Sequence, residues 1–143
     1  MTLKPWIFVV AALIAGGAHA ADPDDMVKYR KNVMNANGGL MGATNALIQN
    51  KVAIKGPLTE YAKALATLTQ NLSALFPTGS NTADSDAQPD VWSKRAEFER
   101  RAKDAEVKAA VFAKAASHGE PKLAEKFKEL SDACKSCHKD FRK

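Results

Sequence analysis

The sequence has few aromatic residues, and it lacks the alternation of apolar and polar residues that marks a β-strand. Aromatic side chains make up 7% of the 143 residues, whereas the helix formers alanine, lysine, glutamate and leucine are abundant. The 21 basic residues are interleaved with 16 acidic ones, so no basic patch indicates nucleic-acid binding. These absences argue against a β or α/β architecture and predict an all-α protein.

Only one apolar run is long, and it lies at the N-terminus. Lys4 precedes an apolar stretch from Trp6 to Ile14, and Ala18-His19-Ala20 then forms a small-x-small cleavage site. This arrangement is typical of a secretory signal peptide, and the alternative is an N-terminal anchor that stays uncleaved. We therefore expect residues 1–20 to be removed and residues 21–143 to form one domain. The mature protein should reside in the periplasm without inserting into the membrane.

Cysteine is scarce, and both cysteines fall in one short motif near the C-terminus. Cys134-Lys135-Ser136-Cys137-His138 is a C-x-x-C-H box, the attachment signature of a covalently bound haem. Because positions three and four apart share a helix face, both thiols can bond one edge of a porphyrin while His138 binds its iron. One box predicts one haem c, attached through Cys134 and Cys137, with His138 as an iron ligand.

Three other interpretations of the box remain open. A thioredoxin-like redox pair would need a βαβ pattern, for which the sequence gives no sign. A zinc site would need further ligands, and the only other histidine after the signal segment is His118, which is better placed to cap a helix. A disulfide suits an oxidising compartment but leaves the histidine after the second cysteine without a role.

Apolar periodicity predicts four helices. Three cover about residues 24–51, 58–76 and 90–117, and the fourth begins at Pro121 and carries the box. Helices of this number and these connections predict an up-down-up-down antiparallel four-helix bundle. In the last helix the cysteines belong to the apolar stripe itself, so a haem bonded there would lie against the bundle interior. That stripe consists of Leu123, Phe127, Leu130, Cys134, Cys137 and Phe141.

The first helix combines an apolar double stripe with a pair of glycines. Gly38-Gly39 predicts a kink, a close approach of the backbone to a flat group, or merely a tolerated weakness. The double stripe repeats every seven residues and marks an inward face of the bundle. It consists of Met26, Val27, Val33, Met34, Leu40, Met41, Leu47 and Ile48.

Three stretches give the chain a specific resemblance to a known family. They are Val27-Lys28-Tyr29-Arg30 with Met34, Asp86-Ala87-Gln88-Pro89-Asp90-Val91-Trp92, and the terminal segment from Cys134 to Arg142. The sequence resembles the class II c-type cytochromes, the cytochrome c′ family, which is itself a known case of the up-down-up-down bundle. The resemblance extends over essentially the whole chain after the signal segment.

The resemblance implies roles for residues outside the box. Arg30 would lie near a haem propionate, and Arg142 would line the proximal side of the haem. The plainer alternatives are a solvated helix residue for Arg30 and a complement to the helix dipole for Arg142. For Asp86, a cap or a turn within its loop is a simpler role than a contact with the haem. Family members often have glutamine where this chain has Lys31, so a hydrogen bond from that position is open to question.

The implied function depends on Met34, a position that faces the distal side of the iron in the family. If the thioether of Met34 binds the iron opposite His138, the protein is a low-spin electron carrier. If Met34 is core filler, the protein is a five-coordinate cytochrome c′ open to nitric oxide or carbon monoxide. Met41 is a weaker candidate ligand. We take the electron carrier as the first interpretation and the gas-binding protein as the alternative.

The charges around the box indicate what kind of partner protein could bind there. A basic cluster there would steer an acidic redox partner protein, unless it serves only solubility. No side chain is placed by the sequence as a distal acid or base, so we expect no enzymatic activity. The resemblance allows a monomer or a homodimer. The basic cluster consists of Lys135, Lys139, Arg142 and Lys143.

Overall fold

The structure, a computed structural model, describes residues 22–54 and 56–143, so the predicted signal peptide lies outside the described residues. Its helices are α1 (Pro23–Ile48), α2 (Leu58–Thr69), the single turn α3 (Asp90–Ser93), α4 (Arg95–His118) and α5 (Leu123–Phe141), with a 3₁₀ turn at Leu72–Leu75. The long helices α1, α2, α4 and α5 form the bundle, which confirms the predicted all-α fold. Within the described ranges, none of these helices is long and apolar enough to cross a membrane.

Local sequence chemistry sets the clearest helix ends. The Asp22 carboxylate accepts a hydrogen bond of 2.9 Å from the backbone N–H of Asp24, while Pro23 occupies the first helical position of α1. Gly119 ends α4 in the left-handed conformation, with φ of 63°, which glycine adopts without steric cost.

The predicted second helix ends early, and the predicted third helix keeps its outer bounds to within one residue but is broken at Lys94. Asn71 adopts a left-handed φ of 53°, which ends α2 at Thr69 instead of Phe76. Pro77 lacks the N–H that would bond the Ser73 carbonyl in a continuing helix. That carbonyl instead accepts a hydrogen bond of 3.0 Å from Arg95, which also donates to the Phe76 carbonyl at 2.8 Å. Hydrogen bonds from Arg95 therefore take the place of the backbone bonds that a longer helix would have formed.

Two apolar clusters form the core. Between α2, α4 and α5, Leu65, Phe112 and Leu130 are fully buried, and the small residue Ala109 lets α4 approach its neighbours. The second cluster contains an aromatic chain in which the Phe98 ring lies 4.8 Å from Phe76 and 5.3 Å from Phe141, measured between centroids. Edge-to-face pairs of this kind add about 0.5–1.5 kcal/mol beyond their buried area.

The first helix buries one of its two predicted stripes more completely than the other. Val27 is buried, and the other members of its stripe pack against the core clusters. In the second stripe, Leu40 also packs against the core, while Met26, Val33 and Leu47 are half-buried. Because α1 packs mainly against α2, a space remains between α1 and α5.

Candidate functional site

A cavity of about 580 Å³ occupies the space between α1 and α5. Its volume falls within the range of about 300–1,000 Å³ that small-molecule and cofactor sites usually have. Phe98, Ala102 and Ala105 of α4 and Phe76 provide apolar lining. The bundle thus leaves a largely apolar chamber of cofactor size next to the C-terminal half of α5.

Helix α5 brings the box to this cavity, as its apolar periodicity predicts. Cys134, Cys137 and His138 all border the cavity and are half-buried. Cys134 packs against the first core cluster and Cys137 against the second. The box therefore lies where the two clusters meet, in contact with the interior.

No disulfide joins Cys134 and Cys137, so the disulfide interpretation is not realised. Burial raises the pKa of the Cys134 thiol, and burial together with the neighbouring Cys134 raises the pKa of Cys137 to about 11. Each thiol is therefore protonated at neutral pH. This is the expected state of a cysteine whose charged form has lost its hydration.

His138 is held as a neutral imidazole. Its burial beside the cavity lowers its pKa, and the positive charge of Arg142 lowers it further. A neutral imidazole keeps a free lone pair on one ring nitrogen, as a metal ligand must. His138 thus has the protonation state that iron binding needs.

The structure does not support the zinc interpretation. No group of three or more His, Cys, Asp and Glu side chains in residues 22–54 and 56–143 could hold a metal ion. His118 is exposed at the end of α4, and its Nδ1 lies 3.0 Å from the carbonyl oxygen of Lys114. The His118 side chain therefore lies against a backbone carbonyl in the last turn of α4, which agrees with the predicted role as a helix cap.

The wall formed by α1 is open where its two glycines lie. Helix α1 continues unbroken through Gly38 and Gly39, and both residues border the cavity. A Cβ atom at either position would meet no other atom within 4 Å. This geometry fits the predicted close approach of a flat group. Met34 and Met41 border the cavity from the same helix.

These observations agree with a comparison of the whole chain with known proteins. The family described as Cytochrome C′ matches residues 25–142. The chain belongs to the cytochrome c′ family. The cytochrome c′ of Rhodospirillum rubrum is 32% identical over 142 residues, covering 95% of this chain and 97% of the relative. That of Pararhodospirillum photometricum is 32% identical over 124 residues, covering 85% of this chain and 99% of the relative.

Solved structures show the same fold. A nitric oxide complex of a cytochrome c prime mutant from Alcaligenes xylosoxidans has a TM-score of 0.79 at 26% identity, covering 87% of this chain and 98% of that chain. A second structure described as cytochrome c′ has a TM-score of 0.79 at 27% identity, covering 87% of this chain and all of the other. Members of the cytochrome c′ family carry one covalently attached c-type haem with its iron.

The side chains around the cavity fit such a haem. Two neighbouring thiols and a neutral imidazole border one wall, and the glycine pair leaves the facing wall of α1 open. Among the described residues, four cations and one carboxylate, that of Asp86, border the cavity, and this excess of positive charge suits the two propionates of a haem. The four cations are Arg30, Lys31, Lys135 and Arg142.

Arg30 is not the solvated helix residue of the plainer alternative. It is only 4% exposed, and its two terminal nitrogens donate four hydrogen bonds of 2.8–3.0 Å to Leu75, Ser80 and Ser85. Its charged group also lies 4.5 Å from the centroid of the Phe76 ring. Of its five N–H groups, only that of Nε remains for a propionate. The propionate role of Arg30 stays a prediction.

The loop before α3 closes the rim of the cavity. Lys31 donates to the Asp84 carbonyl at 2.9 Å, and its Nζ lies 3.4 Å from an oxygen of the Asp86 carboxylate. Arg142 forms an isolated antiparallel bridge with Ala87. The Asp86 side chain therefore forms an ion pair and does not cap the loop. The hydrogen bond within the turn is made by Ser85, whose hydroxyl accepts it from the backbone N–H of Ala87 at 3.2 Å.

Sequence reasoning missed the polar residues on the buried face of α1. Thr44 is fully buried, and Asn37 borders the cavity; each has a buried side-chain oxygen with no hydrogen-bond partner among the described residues. With Arg30 they recur every seven residues, beside the apolar stripe of Met34 and Met41. A polar residue at every seventh position of α1 is the sequence signal that could have identified these residues.

Proposed function

We propose that this protein is a five-coordinate cytochrome c′ that binds small uncharged gases such as nitric oxide and carbon monoxide. Cys134 and Cys137 would hold the haem by thioether bonds, and His138 would bind its iron from the α5 side. When bound, the haem supplies the iron that takes up the gas. Nitric oxide complexes of cytochrome c prime variants at 26% and 25% identity support this choice of ligand.

The observation that carries this proposal is the packing of Met34. Its side chain packs against the second core cluster, which contains Phe76, Phe98 and Phe141. A methionine packed against an apolar cluster fills core space with its flexible stem and its sulfur. In this role Met34 leaves the iron position facing α1 free for a gas.

The lining of the cavity would select among ligands by charge. Its lining is mostly apolar. A charged ligand would lose its hydration on entry and gain no partner in the apolar part, whereas a neutral diatomic gas loses little. We therefore expect neutral gases to bind in the apolar part of the cavity.

A second candidate is the electron carrier, in which Met34 is the other iron ligand. This hypothesis is supported by the presence of Met34 and His138 on the same cavity. The basic residues Lys135, Lys139 and Arg142 near the box would steer an acidic redox partner. In that case, replacing the two lysines with glutamine should slow electron exchange at low salt, whereas equal rates at every ionic strength would contradict steering.

An absorption spectrum of the ferrous protein distinguishes the two candidates. We expect broad high-spin bands that shift when carbon monoxide is added, both in the wild type and in Met34→Ala. Met41→Ala is the matched control, because Met41 borders the same cavity one stripe position further along α1. Sharp, split bands that ignore the gas in the wild type and become broad only in Met34→Ala would establish the electron carrier instead.

We also propose that residues 1–20 direct export and are removed, so that the haem protein functions in the periplasm as a binding protein without enzymatic activity. The charge and apolar pattern of residues 1–20 supports the export signal. N-terminal sequencing of the periplasmic fraction should begin at Ala21. A mature chain that still begins at Met1 would contradict cleavage.

A further inference from the structure

Asn37 is a half-buried polar residue at the cavity wall formed by α1, where the exposed Asn35 also lies. It follows Met34 by three residues and precedes Met41 by four, so the three side chains share one face of α1. All three border the cavity, as does Gly38. Asn37 therefore lies on the part of α1 that faces the chamber, and it brings an amide group there.

The hydrogen-bonding capacity of Asn37 is not satisfied by the protein. Its Oδ1 atom is buried without a partner among the described residues, which ordinarily destabilises the native state. The same side chain carries an Nδ2 donor, and Asn37 borders the cavity. Asn45 of the same helix differs, because its Oδ1 accepts a hydrogen bond of 2.9 Å from Gln49.

We propose that Asn37 donates a hydrogen bond to the ligand bound in the cavity and so favours nitric oxide over carbon monoxide. This inference rests on the proposed gas-binding function. Hydrogen-bond donors in a haem pocket help to decide which diatomic ligand is held, because they stabilise a ligand whose outer atom gains negative charge. Nitric oxide bound to a haem is the more polar of the two and gains more from such a donor.

The unpartnered oxygen argues against a purely structural role for Asn37. A residue kept for folding would have its buried polar atoms paired, since an unpaired one destabilises the native state. An apolar residue of similar size would pack at this position without that cost. Because no hydrogen bond to the described residues accounts for Oδ1, the amide of Asn37 is available to the content of the cavity.

The test compares Asn37→Leu with the wild type in the haem-loaded protein. Leucine has a similar size but no polar atoms, Asn37→Gln keeps an amide, and Asn45→Leu is the control on α1 outside the cavity. We expect nitric oxide to dissociate about 3- to 10-fold faster from Asn37→Leu, the factor that one neutral hydrogen bond is worth. Carbon monoxide dissociation should change less than about 2-fold by the same reasoning.

Two further readouts exclude a packing effect. The infrared stretching band of bound nitric oxide should move to higher frequency in Asn37→Leu and return toward the wild-type position in Asn37→Gln. The melting temperature of Asn37→Leu should equal or exceed that of the wild type, because the unpartnered oxygen has been removed. A lower melting temperature with equal acceleration for both gases would overturn the inference.

The outcomes separate this inference from the function on which it rests. If the wild type binds both gases and Asn37→Leu releases them at wild-type rates, the hydrogen bond is refuted and the gas-binding function stands. If the wild type binds neither gas and Met34→Ala binds both, the proposed function fails, and the role of Asn37 toward a gas fails with it.

Discussion

The guanidinium of Arg30 in α1 donates a hydrogen bond of 2.8 Å from Nη2 to the hydroxyl of Ser85. Both side chains are buried, so the bond forms away from water and joins α1 to the loop before α3. Asp86 and Ala87, the next two residues of that loop, border the cavity. Arg30 therefore fixes the loop that forms part of the cavity rim.

Replacing Arg30 with methionine should lower the free energy of unfolding by about 2–4 kcal/mol. The substitution removes charged hydrogen bonds worth about 1.5–3 kcal/mol each and leaves buried carbonyl groups of the loop unpaired. Urea denaturation measures the change. Lys28→Met is the control, because Lys28 is exposed and forms only an exposed pair with Asp25. Equal stability of Arg30→Met and the control would contradict the anchoring role.

Gly39→Ala and Gly42→Ala should have different effects although both glycines lie in α1. Alanine in place of glycine stabilises a helix by about 0.5–1 kcal/mol, and neither new Cβ would meet an atom of the protein. Only Gly39 borders the cavity. We expect Gly42→Ala to stabilise the haem-loaded protein, while Gly39→Ala gains less and shifts the haem absorption band. Identical melting temperatures and spectra would show that the haem does not approach Gly39.

Arg101 ties α4 to the turn of α5 that carries the box. Its guanidinium pairs with Glu97 at 2.8 Å and with Asp140 at 3.3 Å, and it also bonds the hydroxyl of Ser136 inside the box. Arg101→Met should cost about 1–2 kcal/mol of stability, because the arginine is half-buried and bridges two helices.

Arg100→Met is the matched control for Arg101→Met in chemical denaturation. Arg100 bonds Glu97 as well but is largely exposed, and its substitution should change stability by less than about 0.5 kcal/mol. If the two variants lose equal stability, the bond network to α5 contributes nothing beyond the shared Glu97 pair.

The Glu97 carboxylate should make stability depend on acidity. Hydrogen bonds from Arg100 and Arg101 lower the pKa of Glu97 from 4.5 to about 2. The Glu97 carboxyl binds its proton more weakly in the folded state than in the unfolded state. The stabilisation of the fold by the ionised carboxylate is therefore complete above pH 4.5 and is lost as pH falls toward 2. The stability difference between the wild type and Glu97→Gln should shrink across that window. A difference independent of pH would contradict the ion pairs.

The helical bundle and the haem box were predictable because local patterns determine them. The apolar stripe of α5 includes Cys134 and Cys137, so periodicity alone placed both thiols against the interior. The end of α4 was equally readable, since Gly119 is a local stop signal. The residue roles at the haem remain predictions, because they concern a group bonded to the protein.

The breaks near Asn71 and Lys94 were not predictable, because the apolar spacing continues through both. Tertiary bonds stabilise the broken geometry: Arg95 donates to the carbonyl groups of Ser73 and Phe76, and the Trp92 indole donates to the Pro77 carbonyl at 3.0 Å. The partners of Arg30 were hidden for the same reason, since they lie 45–55 residues away in sequence. Only the folded chain brings these groups together.

The most direct test of the account is the mass of the intact protein after the haem-loaded chain is unfolded and extracted with acidified organic solvent. The wild type should keep the mass of one haem. Each single variant, Cys134→Ala or Cys137→Ala, should retain the haem that it loads through its one remaining thioether bond. The double variant should lose all pigment to the solvent. If the wild type emerges without haem, the cavity between α1 and α5 does not hold a covalent cofactor, and the account is wrong.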